Sequence, residues 1–139
     1  VAAGGVEAQE RVRAEGGVAL VAVASSPGQW TAGAERWWRV APRTRVGGLL
    51  AGGVAGKRGA VRGELAGHFL LNPRGLRGVG WYAGGGVAGS LGEAEGVRVL
   101  AVLGAEARPG GRQGWFLEAG VGGGARVAVG WRWRTGTGR

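Results

Sequence analysis

Residues Trp115 to Arg134 read WFLEAGVGGGARVAVGWRWR, and the alternation in this stretch decides the fold. In a strand, side chains two apart share a face, so Trp115, Leu117, Ala119 and Val121 lie on one side and Phe116, Glu118, Gly120 and Gly122 on the other. After the run of glycines the pattern repeats. Ala125, Val127, Val129, Trp131 and Trp133 share one face, and Arg126, Ala128, Gly130, Arg132 and Arg134 share its opposite. A soluble sheet also alternates, but its wet face usually carries Ser, Thr, Lys and Asn. Here the polar face mixes glycine with complementary charges. Small residues with paired charges suit the crowded lumen of a narrow barrel, and an apolar stripe capped by tryptophan suits lipid.

The same period of two runs back through the middle of the chain. Val97, Val99, Ala101, Leu103 and Ala105 face one way, with Arg98 and Glu106 opposite; Val61, Leu65, Phe69 and Leu71 face one way, with Arg62, Glu64 and His68 opposite. With the apolar rows outward, the expected lumen network comprises Arg62, Glu64, Arg98, Glu106, Glu118, Arg126 and Arg132. Such charges are tolerated out of water only as a connected, hydrogen-bonded network. The competing reading makes this face the wet side of a soluble sheet.

Turn signals recur every ten to fifteen residues, among them Ser-Ser-Pro-Gly, Ala-Pro-Arg-Thr, Gly-Lys-Arg-Gly and Asn-Pro-Arg-Gly. They divide the chain into eight expected strands: 17–25, 30–41, 45–55, 60–71, 76–91, 97–107, 115–123 and 125–134. All seven links are short, which predicts antiparallel neighbours in an all-β, up-and-down barrel. The segment around Trp37 and Trp38 is the least regular, since adjacent tryptophans must point to opposite faces; a short amphipathic helix over AERWWRV competes there. Residues 1–15 are left over, 16–134 form the barrel and 135–139 a tail. In the leftover segment Val6, Ala8, Val12 and Ala14 alternate with polar residues, as a spare or donor strand would.

Composition narrows the class. A chain of 139 residues with 34 Gly and 45% hydrophobic residues, lacking a collagen-like triplet, is an ordered single domain whose backbone bends or packs closely. Without Cys there is no disulfide and no thiolate chemistry, and a single His68 excludes a multi-histidine metal centre. No run approaches the ~18 apolar residues of a transmembrane helix. The opening Val-Ala-Ala-Gly-Gly reads as the residues after a signal-peptidase site, so the expectation is an exported chain, in a bacterial outer membrane or outside the cell.

Over residues 17–134 the chain resembles the small eight-stranded bacterial outer-membrane β-barrels, in strand number, in strand length, in the alternating bulky residues of its last strand and in its tryptophans. Trp30, Trp81, Trp115, Trp131 and Trp133 would then sit at the membrane interface or between subunits. The resemblance implies fold and location more than activity.

Other motifs fail on context. Gly84, Gly86 and Gly89 match a dinucleotide-binding spacing, but no helix follows to hold a pyrophosphate. A lipid hydrolase could draw on Glu64, His68 and one of Ser25, Ser26 or Ser90, yet these serines fall in turns or at strand ends. No catalytic, cofactor or metal site is assigned. The formal charge of +9 attracts polyanions, but no groove-reading element appears, so no specific nucleic-acid partner is expected. Arg43, Arg45, Lys57, Arg58, Arg74, Arg77, Arg108 and Arg112 fall at expected turns, where they would meet lipid or lipopolysaccharide headgroups at the rims. The expected role is a non-enzymatic structural or surface barrel. Its alternative is a barrel that polymerises into an extracellular filament through the N-terminal strand, and the hydrolase is a distant third.

Overall fold

Alternation with a period of two, interrupted only by short turns, folds this chain into a ring of strands. The computed structural model describes residues 12–24, 28–71, 78–92 and 96–136. The strands are β1 (Val12–Ala24), β2 (Gln29–Ala41), β3 (Thr44–Ala55), β4 (Arg58–Leu70), β5 (Val79–Gly92), β6 (Gly96–Ala107), β7 (Gln113–Val121) and β8 (Ala125–Gly136). Each pairs antiparallel with the next, and β8 returns to β1, so the sheet is a closed up-and-down barrel. The AERWWRV segment is strand, not helix: Trp37 points inward at 5% exposure and Trp38 outward at 50%.

Register sets the shape. A row of strand partners starts at Arg112, the residue before β7, whose carbonyl accepts from the Arg134 N–H at 2.7 Å, and passes through Glu15, Trp37, Gly47, Ala66, Gly86 and Leu100. It meets β7 again at the level of Gly122, ten residues further along. That stagger tilts the strands by about 40° in an eight-stranded wall, and leaves an interior just wide enough for side chains to fill.

The first strand begins earlier than expected. Val12 pairs with Gly136 and Ala14 with Trp38 and Thr135, so both stand in the barrel wall, not in a spare strand. An irregularity between Val12 and Ala14 breaks the strict alternation there, which separates this corner from the pattern downstream. Val6 and Ala8 lie outside the described residues. At the other end β8 runs to Gly136, two residues past Arg134.

Glycine makes room for the large inward side chains. Trp37, His68, Tyr82 and Phe116 stand directly across from Gly47, Gly84, Gly104 and Gly130 on the neighbouring strands. A Cβ on Gly104 would collide with the Tyr82 ring, and one on Gly130 would come within 2.7 Å of Phe116. Aromatic rings laid over cross-strand glycines support the strong local curvature that a narrow barrel needs. At the two-residue turn between β3 and β4, Gly56 adopts a φ of 64°, the left-handed setting that glycine takes without strain.

Candidate functional site

Inward-facing charges from seven strands, all but β5, meet in the lumen as one connected network. At its upper end, nearer the β7–β8 turn, Arg126 pairs with Glu64 at 2.7 Å and with Glu118 at 2.8 Å, while Arg62 pairs with Glu64 at 2.7 Å. Arg62 also donates to the Gly122 carbonyl at 2.8 Å and to Gln29 at 3.3 Å. In the middle, Arg132 reaches Glu35 at 2.9 Å and both Glu106 and Glu118 at 3.0 Å. The Tyr82 hydroxyl donates to Glu118 at 2.6 Å. At the lower end, where β1 starts and β8 finishes, Glu15 accepts from Arg45 at 2.8 Å, Arg39 at 3.1 Å and Arg134 at 3.4 Å. Glu106 ties Arg45 and Arg134 to Arg132.

Two charges hold this network together. Glu118 gives one carboxylate oxygen to Arg126 and the other to Arg132, so among the described residues it alone joins the upper ion pairs to the rest. Arg132 is completely buried, and its guanidinium lies 4.0 Å from the centre of the Phe116 ring and 5.3 Å from that of Tyr82. Stacking on aromatic faces while donating from its edges satisfies an arginine out of water.

His68 has a structural place. It is sandwiched between Trp37, 4.1 Å away, and Tyr82, 4.6 Å away, and its Nδ1 accepts from Arg45 Nε at 2.9 Å. That bond requires an unprotonated Nδ1. Glu64, engaged by Arg62 and Arg126, does not orient the histidine, and the Ser90 hydroxyl accepts from Gln29 at 3.5 Å. Ser25 and Ser26 lie outside the described residues. The structure therefore does not bring Glu64, His68 and Ser90 together.

Of the seven side chains expected in the lumen, Arg62, Glu64, Glu106, Glu118, Arg126 and Arg132 are there, buried and paired. Arg98 is not. It has the inward parity of Leu100 and Val102, but it is exposed, because β6 pairs with β7 only over Ala101–Glu106 and Arg98 lies past the end of that closed stretch. Arg45, expected at a rim, is completely buried, because β3 starts at Thr44 and already carries it inside. The alternation rule also reaches Glu15, Glu35, Arg39 and Arg134, which stand outside the expected network although Arg134 shares the face of Arg132. Each lies on the inward parity of its strand, and charge on that parity was the available signal.

The outer wall is the inverse of the lumen. Among the described residues all five glutamates are inside, and every exposed charge is a cation: Arg36, Arg43, Lys57, Arg58, Arg98, Arg108 and Arg112. Arg74 and Arg77 lie outside the described residues. Between the turns the wall presents large apolar side chains, Leu50 at 68% exposure and Val99 at 76% among them. Outward aromatics concentrate at one end. Trp38, Phe69, Trp81, Trp115, Trp131 and Trp133 all stand near the end where β1 starts and β8 finishes, whereas Trp30 is alone at the other. Given the stagger and tilt, the apolar wall above the aromatic ring is about 25 Å tall.

No protein-family model and no curated protein matches the chain. The geometry by itself defines the class: a closed eight-stranded antiparallel β-barrel with a charge-paired lumen and an apolar outer wall.

Proposed function

We propose that this protein is a non-enzymatic barrel of the outer-membrane type, a structural or surface protein whose wall faces lipid and whose lumen is a solid plug. The observation that carries the reading is the inversion of charge: every described glutamate is inside, and the outward strand faces are apolar, Arg36 apart, with a tryptophan ring at one end. A wall of this kind in water would be an apolar patch far larger than monomers tolerate. Its height matches the apolar band of membrane barrels, and the ring of aromatics matches their interface girdle. Basic residues beyond both ends of the band would face lipid or lipopolysaccharide phosphates. A place in a bacterial outer membrane accords with this chemistry.

The test is to refold the chain with and without neutral detergent or vesicles. The expected product is a detergent-bound monomer with a β-type circular dichroism spectrum, which runs faster on a gel unboiled than boiled. A monodisperse monomer in detergent-free buffer would sink the membrane reading. The same wall could instead be covered by further copies of the chain, with residues 1–11 reaching a neighbouring subunit, as strand-donating fibres do. Filaments forming in detergent-free buffer are the outcome that favours that alternative.

A further inference from the structure

One charge stands where the outer wall should have none. Arg36 sits in the middle of β2 on the outward parity shared by Ala34 and Trp38, two residues inside the aromatic ring. Among the described residues it makes no hydrogen bond or ion pair; its guanidinium lies 5.7 Å from the centre of the Trp38 ring and leans over Gly16 of β1. Beside it a groove of about 660 Å³ opens on the wall across β2, β3 and β4. Ala34 and Arg36 form one side, Leu65 the other, and Val46 and Leu50 the ends. Its floor is Gly48, and the gap there is enforced, because a Cβ would meet the Glu64 carbonyl oxygen at 2.5 Å.

We infer that this groove is a site for one anionic phospholipid, with the phosphate on Arg36 and an acyl chain along Gly48 toward Leu50 and Leu65. The inference rests on the membrane reading and adds a ligand to it. A lone cation on an apolar wall needs an anion, and an apolar trough leading away from it needs a chain; an anionic phospholipid supplies both in one molecule. The polarity also agrees. Going up β2 from Trp38 through Arg36 to Ala34, the wall passes from the aromatic ring to purely apolar surface, the order in which a lipid presents headgroup and tail. Arginine near an aromatic belt suits a phosphate better than a zwitterionic head whose own cation competes for it.

The experiment is native mass spectrometry of the barrel released from neutral detergent, after incubation with dioleoyl phosphatidylglycerol or with dioleoyl phosphatidylcholine. One phosphatidylglycerol should be retained, about tenfold more tightly than phosphatidylcholine. Arg36→Gln should abolish the preference, and Ala34→Trp, which fills the groove and keeps Arg36, should abolish retention of both. If Ala34→Trp lacks the compact unboiled form on a gel, Ala34→Leu is read in its place. Unchanged retention in Arg36→Gln overturns the inference, as does displacement of the lipid by an equal concentration of inorganic phosphate, which would reveal a bare anion contact. A barrel that enters vesicles of both lipids without an Arg36-dependent preference removes the site and leaves the membrane reading standing. One that enters neither removes both.

Discussion

At the scale of single residues, Glu118 is the side chain on which the lumen depends most. It joins Arg126 above to Arg132 below and accepts from Tyr82, all out of water. Replacing it by Gln leaves two buried guanidinium groups short of a countercharge, a change expected to cost about 3 to 5 kcal/mol. Equilibrium unfolding of the detergent-bound barrel in urea measures it. Arg98→Gln is the matched control, expected within about 0.5 kcal/mol because that side chain is exposed. If Glu118→Gln falls within the same margin, the network contributes little to stability and the lumen is wet. Much of this network was readable beforehand, since parity in the last two strands puts Glu118, Arg126 and Arg132 on one face. What parity could not supply was depth along the barrel. Arg98 and Arg45 are each near a strand end; the first lies past the closed wall and the second within it, and only the stagger between strands separates the two cases.

At the scale of elements, the strands were legible because each carries its own period, and seven of the eight begin and end within three residues of where turn chemistry puts them. β1 was the exception at its start. Its first residues are held by pairing with β8, a contact more than a hundred residues away in sequence, and the irregularity after Val12 hides the period locally. This changes how the polymer alternative must be tested. Deleting residues 1–15 would remove Glu15, the carboxylate shared by Arg39, Arg45 and Arg134, and so would damage the barrel itself. Deleting residues 1–11 leaves β1 whole. The truncated chain is expected to keep its heat-modifiable gel mobility and its β-type spectrum. Under the polymer model it should also lose any filaments seen with the full chain, and filaments that persist would exclude the N-terminal segment as the linker.

At the scale of the whole molecule, inside and outside are exchanged relative to a soluble protein: charge fills the interior, and apolar side chains cover the surface. Composition alone could not reveal this, because a mean hydropathy of +0.02 is compatible with either arrangement. Closure has a further consequence. Val12 pairs with Gly136, so the first and last strands close on each other in the wall, and the ring of strands has no intrinsic first member. The order of synthesis is then separable from the architecture. A circular permutant that bridges Val12 and Gly136 with a short flexible linker and opens the chain between Gly56 and Lys57, in the two-residue turn, has the same neighbours for every strand. It is expected to refold in detergent micelles to the parent's unboiled mobility and spectrum. A permutant that collapses would mean that the β3–β4 turn, with its left-handed Gly56, is a nucleus the barrel needs intact, and that folding here has a starting point even though the finished wall has none.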